Sequence, residues 1–194
     1  MLVGERQVAP TLDGIRADHV ARYRWAALRL RVDGTLLDLA CGIGYGAYIL
    51  AEAGHDVVAV DRDADALDYA TKHYVHARIG FYQWTAEALA ASASGLGYSA
   101  AVCFETIEHI EAPLPMLKAL HRAAPLLLAS VPNEAVIPWA DHPFHFRHYT
   151  RDEFEALLTD TGWRVNEWWG QIGKQSPVEP NVEGRTLIAV AVRA

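Results

Sequence analysis

The chain reads as an α/β protein: a mostly parallel sheet of seven strands, helices on both faces and a C-terminal antiparallel hairpin. Three observations predict this. Short apolar runs alternate with helix-period segments between residues 35 and 131, and such alternation makes consecutive strands parallel and covered on both sides. Gly42, Gly44 and Gly46 follow the first apolar run directly, as expected where a buried strand turns tightly into a helix and the backbone must take positive φ or approach a ligand. The closing runs 164–169 and 186–192 have no helical segment between them, so they can pair antiparallel at one edge.

Taken in order, residues 1–14 carry Pro10 and Gly14 and read as an arm. Over residues 15–31, Val20, Tyr23, Ala27 and Leu30 recur at helical steps, and five arginines fill much of the rest as a solvated basic face. Asp33-Gly34 is a turn signal. Strand one is Thr35–Leu39, followed by the glycine turn and a helix over 45–53 that Gly54 stops. Asp56–Asp61 is a second buried strand ending in an acid, and Asp63 is placed to cap a helix bearing Leu67, Ala70 and Tyr74 on one face. A third strand covers Ile79–Gln83, a helix 86–91, a Ser/Gly-rich loop 92–97, a fourth strand 99–105, a helix 113–123 and a fifth strand 125–131. The proline-rich stretch 132–149 is irregular. Thr150 and Glu153 form a capping box that opens a helix with Phe154, Leu157, Leu158 and Thr161 inward and Gly162 at its end.

Composition narrows the function. A chain of 194 residues with 52% apolar and 21% charged residues fits one globular domain, 1–194, with an N-terminal arm and helix over 1–31. A net charge of −7 without a Lys/Arg-rich stripe argues against a nucleic-acid partner. The two cysteines, Cys41 and Cys103, sit at strand ends outside any CxxC pair, which fits a reducing, cytoplasmic setting. The polar Gly4-Glu5-Arg6 start shows no signal-peptide core, and no apolar run reaches membrane-spanning length. Oligomeric state leaves no mark on the sequence.

The glycine turn formally satisfies the dinucleotide pattern as Gly42-x-Gly44-x-x-Ala47, with Asp61 near the expected distance. Asp38 points elsewhere: a carboxylate four residues before Gly42 would repel a pyrophosphate but can meet an ammonium group. Asp61 can accept from the hydroxyls of a ribose.

Leu36–Gly46, Val57–Asp61, Phe104-Glu105-x-x-Glu108-His109 and Ser130-Val131-Pro132-Asn133 together resemble the class I S-adenosylmethionine-dependent methyltransferases, over nearly the whole chain. The resemblance implies a Rossmann-like sheet and S-adenosylmethionine as cofactor. It assigns Asp38, Ala40, Gly42 and Gly44 to the methionine part, Asp61 to the ribose, and Thr85 and Ala86 to the adenine, and it counts Cys41, Tyr45, Arg62 and Glu105 among the cofactor-binding residues. It also makes the first helix, with Tyr23 and Trp25, a lid. Thr85 stands where the family often has Asp, and the usual Pro-Gly-Gly turn before the fifth strand is missing.

The acceptor side is expected at the ends of strands four and five. If residues 105–109 form a helical turn, Glu105, Glu108 and His109 share a face. Such a set can bind a divalent cation or act as a general base with orienting acids; alternatively Glu105 only touches the cofactor while the other two cap the next helix. The loop 132–149, with His142, His145 and His148, can fold over the site. Glu-x-x-Glu-His also resembles small-RNA 3′-terminal 2′-O-methyltransferases and some quinone-biosynthetic O-methyltransferases. In the RNA group a further histidine before a Thr-Arg helix start completes a metal site, and His145 has that spacing from Thr150-Arg151. That resemblance implies Mg, Mn or Zn held by Glu105, Glu108, His109 and His145. Many bacterial enzymes acting on sugars or small metabolites share the Pro143–Thr150 pattern, with His148 in place of their usual Glu. The short length and absent basic domain favour a small-molecule acceptor, most simply a hydroxyl, with His109, Glu108 and His145 as catalytic residues. The rivals are RNA-end methylation and a non-catalytic cofactor-binding module. Trp139, Trp163, Trp168 and Trp169 could line an aromatic acceptor pocket or pack the hairpin, with Trp168 and Trp169 on opposite faces.

Overall fold

The computed structural model describes residues 6–85, 88, 97–140 and 142–194. The helix expected over 86–91 and the 92–97 loop lie almost wholly outside them. The described helices are α1 (Ala17–Arg29), α2 (Tyr45–Glu52), α3 (Ala64–His73), α4 (Leu114–Ala123) and α5 (Arg151–Thr159). The strands are β1 (Thr35–Leu39), β2 (Asp56–Asp61), β3 (Ile79–Gln83), β4 (Ala100–Phe104), β5 (Leu126–Pro132), β6 (Trp163–Gln171), β7 (Glu179–Pro180) and β8 (Thr186–Arg193).

All strands join one sheet in the order β3-β2-β1-β4-β5-β8-β6-β7. β1 to β5 are parallel, and β8 runs antiparallel between β5 and β6. The expected seven strands are eight among the described residues, because the 172–185 loop folds back and pairs residues 179 and 180 with Gly170 and Trp169. A side chain at Gly170 would lie 2.0 Å from the Val182 carbonyl, so this return requires glycine there. The closing pair is antiparallel and sits at that edge of the sheet, as expected; within it β8, apolar on both faces and buried almost throughout, lies against β5, and the more polar β6 lies outside it.

Local chemistry accounts for the boundaries. The Asp63 carboxylate caps α3 by accepting from the Asp65 and Ala66 amides, and Thr150 and Glu153 form the expected reciprocal box at α5. Leu37, Leu39, Leu117, Leu120, Phe154, Leu158 and Trp163 build the core under α4 and α5. Leu36, Ile43, Leu50, Leu67, Leu128 and Ile188 build the one under α1, α2 and α3. Each such fully buried aliphatic side chain contributes about 1.5–3 kcal/mol. β2 and β4 flank β1, so the connection direction reverses there and opens a crevice beyond the carboxyl ends of β1 and β4.

One polar contact crosses the sheet. Arg22, expected on the solvated face of α1, is 1% exposed. It lies between Asp18 and Ala26 at four-residue steps, both buried, and so belongs to the inner stripe. Its guanidinium donates to Gln171 Oε1 at 2.9 Å, Ser130 Oγ at 3.2 Å and Thr186 Oγ1 at 3.4 Å, and it lies 3.0 Å from Glu105 Oε1. One side chain thus ties α1 to β5, β6, β8 and the end of β4. Arg22→Ala should lower stability to urea unfolding by about 3 kcal/mol, since it strands a largely buried carboxylate and several polar partners. A loss under 1 kcal/mol would show that α1 is held by its apolar face alone.

Candidate functional site

The crevice is a cavity of about 750 Å³, bounded by the glycine turn, the end of β2, the segment after β4, α1 and the 142–148 loop. At the glycine turn, Ala40 and Gly42 both adopt left-handed backbone, at φ 58° and 57°. The Gly42 amide donates to Asp61 Oδ2 at 2.8 Å, and the Asp63 amide to Asp61 Oδ1 at 2.9 Å. Asp61 is thereby aimed at the cavity wall beside the turn. Arg6, from the N-terminal arm, spans the same place: 3.6 Å from Asp61 and hydrogen-bonded to Asp63 at 2.5 Å.

Among the residues expected to hold the cofactor, Ala40, Cys41, Gly42, Tyr45, Asp61, Arg62, Thr85 and Glu105 all line the cavity. Gly44 and Asp38 do not line it. Gly44 caps α2 at φ 89°, and a side chain there would strike Ala70 and Phe81 at 2.8 and 2.9 Å, so its requirement is steric. Asp38 is fully buried behind the wall, where its Oδ1 accepts from the Tyr23 hydroxyl at 2.9 Å. Its Oδ2 has no hydrogen-bond partner. Ala86 lies outside the described residues. The Cys41 thiol is pushed up by burial and by the charges of Asp38 and Asp61, which leaves it a neutral wall.

Glu105 is the main departure on the acceptor side. It does not share a face with Glu108 and His109. Its backbone is left-handed, φ 48°, and only Ile107–His109 form a helical turn. Its carboxylate turns toward Arg22 and accepts from Ser130 Oγ at 2.8 Å. Burial alone would raise its pKa, but Arg22 and the Ser130 hydroxyl outweigh it and hold the carboxyl below its usual range. Glu105 therefore leaves the expected four-residue metal set, because a buried cation claims it.

The remaining three converge. Glu108, His109 and His145 each offer a ligand atom, all within 4.8 Å of one another, the only such His/Cys/Asp/Glu group among the described residues. Glu108 is wholly buried. The His109 and His145 rings meet edge-on at 4.5 Å. His109 Nδ1 lies 2.7 Å from the Phe144 carbonyl, and the Phe146 amide donates to the Glu108 carbonyl at 2.8 Å, so the loop is strapped to the turn. Trp139 Nε1 donates to the His145 carbonyl at 2.8 Å. Behind His145, the His148 imidazole is held below the ordinary histidine range by burial.

Arg22 and His19 line the cavity too, although Arg22 reads as part of the solvated arginine face of α1 and nothing local in the sequence separates it from its arginine neighbours. Trp84 lines the cavity, whereas Trp139, Trp163, Trp168 and Trp169 do not. Trp168 packs near Phe154 and Trp169 near Trp25, on opposite faces of β6.

The residues present fit an S-adenosylmethionine-shaped ligand. An acid beside the glycine turn can take a ribose, an Arg22–Glu105 pair offers both signs to an amino-acid zwitterion, and Trp84 and Thr85 border the remaining end.

A family model described as "Methyltransferase domain" matches residues 16–167, most of the chain. A Mycobacterium tuberculosis protein named probable S-adenosylmethionine-dependent methyltransferase is 31% identical over 173 residues, covering 84% of this chain and 61% of its own. A ubiquinone biosynthesis O-methyltransferase of Methylococcus capsulatus is 33% identical over 123 residues, covering 62% and 49%. The chain thus spans about half to three-fifths of these relatives. The solved magnesium protoporphyrin IX methyltransferase of Synechocystis, with bound S-adenosylhomocysteine, superposes with TM-score 0.70 at 20% identity over 98% of this chain and 90% of its own, a likeness of fold. Among the described residues no helix is long and apolar enough to cross a membrane.

Asp38 carries a cost that can be measured. Burial, opposed by the Tyr23 hydroxyl and reinforced by Asp61, pushes its carboxyl up to about 7. A carboxyl raised on folding destabilises increasingly as pH climbs from the unfolded value through the folded one, and constantly above. Asp38→Asn should therefore raise the Tm, with a gain that grows between pH 4 and 7 and levels off beyond. A pH-independent effect would show that Asp38 does not titrate there.

Proposed function

Because the chain belongs to the class I S-adenosylmethionine-dependent methyltransferases, we propose that it methylates a hydroxyl of a small-molecule acceptor bound in the part of the cavity lined by the Ile107–His109 turn and the 142–148 loop. The observation that carries this reading is the convergence of Glu108, His109 and His145 at the wall of the same cavity that the glycine turn lines. When bound, S-adenosylmethionine supplies a methyl group already activated on sulfur.

The chain's own residues then have two tasks. On the cofactor side, Asp61 holds the ribose hydroxyls, Ala40, Cys41 and Gly42 form the floor, and Arg22 with Glu105 receives the amino-acid end. Tyr45 and Arg62 close the same wall, and Thr85 with Trp84 borders the adenine. Asp38 acts from behind, by orienting Tyr23. On the acceptor side, an imidazole of the trio takes the hydroxyl proton, while buried Glu108 favours the imidazolium that results. Phe144 and Phe146, about half exposed, offer apolar surface on the loop. The small cavity and the net charge of −7 suit a small acceptor better than a nucleic acid.

One carboxylate and two imidazoles also fit a divalent cation, Mg, Mn or Zn, which would lower the pKa of an acceptor hydroxyl. Glu105 takes no part in that set, being committed to Arg22.

The test is methyl transfer from radiolabelled cofactor across a panel of hydroxylated acceptors. Activity should be found, and His109→Ala or His145→Ala should lower kcat about 100-fold or more while leaving S-adenosylhomocysteine affinity within two- to three-fold. Excess chelator separates the two uses of the trio: full activity identifies a metal-free base, and loss restored by Mn²⁺ or Zn²⁺ identifies a cation. Wild-type activity in both histidine variants would refute the role of the trio.

A further inference from the structure

We infer that His148 is a positioning residue that fixes His145 as its Nδ1–H tautomer, leaving Nε2 as the basic nitrogen of that ring. The inference rests on the proposed role of His145 in the trio and goes one layer behind it.

Hydrogen-bond direction fixes where each proton sits. His148 Nδ1 lies 2.7 Å from the Ile137 carbonyl oxygen. A carbonyl only accepts, so the proton sits on His148 Nδ1. Glu134 Oε2, 4.0 Å from the same nitrogen, is a second acceptor-only group favouring that placement. In the neutral ring the other nitrogen, Nε2, then carries a lone pair. His148 Nε2 lies 2.7 Å from His145 Nδ1. That contact requires one donor and one acceptor, so His145 Nδ1 must donate. The proton order along Ile137–His148–His145 is thus set from the backbone end.

The ring that does this is held firmly. The His148 side chain is 3% exposed. Its neighbour Tyr149 is bridged to Asn133 at the exit of β5, with the Tyr149 amide donating to the Pro132 carbonyl and the Glu134 amide to the Tyr149 carbonyl. The other groups facing it are imidazoles, His145 with ring centroids 4.9 Å away and His142 at 6.0 Å. His109 shows the same logic independently: its Nδ1 meets the Phe144 carbonyl at 2.7 Å, which likewise assigns its basic nitrogen to Nε2. Both imidazoles of the trio are therefore set in one tautomer by an acceptor behind them, as an imidazole needs whether it takes a proton or binds a cation.

The experiment is long-range ¹H–¹⁵N NMR of the ¹⁵N-labelled full chain at pH 8, without added metal, with His145 signals assigned by their loss in His145→Gln. The expected result is a protonated Nδ1 and a bare Nε2 on His145. In His148→Leu, which offers no acceptor, that preference should disappear, and kcat should fall about tenfold or more with KM little changed. His148→Gln, whose carboxamide oxygen can accept, should restore both the tautomer and most of the rate. An Nε2–H tautomer of His145 in the wild type would overturn the inference whatever the variants do, as would an unchanged tautomer in a folded His148→Leu protein. Full activity of His145→Ala would instead overturn the reading of the trio, and that variant reports it separately from the tautomer.

Discussion

The contact on which the rest depends is the buried ion pair between Arg22 and Glu105. A guanidinium at 1% exposure is costly unless every donor is matched. Here Gln171, Ser130, Thr186 and Glu105 supply the matches from three strands and the end of a fourth. The pair fixes where α1 sits over the sheet, and so where Tyr23 and His19 meet the cavity. It also explains the left-handed backbone of Glu105: the chain leaving β4 must turn the carboxylate back toward α1 and β5. That strain falls at the mouth of the crevice, where a ligand approaches.

From that turn follows a division of labour. Glu105 is committed to Arg22 of α1 and Ser130 of β5. Glu108 and His109, one short helical turn later, face the 142–148 loop and meet His145. The loop is strapped by two hydrogen bonds to the turn and by Trp139 to its own backbone, which holds the two segments of the trio in one frame. Asp38 is a buried carboxyl outside the cavity lining; its burial costs stability, and it holds the Tyr23 hydroxyl.

Much of this was legible in the sequence. The first three strands, the helix starts and the Thr150–Glu153 box are local matters of apolar runs, glycine and capping, and they fall where the residues say. That Ala40, Gly42 and Asp61 share one cavity wall was legible for the same reason, since they are carried by one strand–turn–helix unit and the strand beside it. What could not be read was set by partners distant in the chain. Arg22 looks like its surface neighbours Arg24 and Arg29 until Ser130, Gln171 and Thr186 are brought to it. The face shared by Glu105 and Glu108 assumed a regular turn, which the pull of Arg22 prevents. Trp168 and Trp169 were correctly placed on opposite faces, but both are consumed by packing, whereas Trp84 reaches the cavity.

The central claim is that a single crevice holds the cofactor against Asp61 and the Arg22–Glu105 pair, with the trio at the wall of the same crevice. A crystal structure of the chain with S-adenosylhomocysteine tests this most directly. The account predicts the ribose on Asp61, the amino-acid end beside an intact Arg22–Glu105 pair, and the sulfur facing the side of Glu108, His109 and His145. A ligand bound elsewhere, or Glu105 released from Arg22 and turned into the trio, would contradict it.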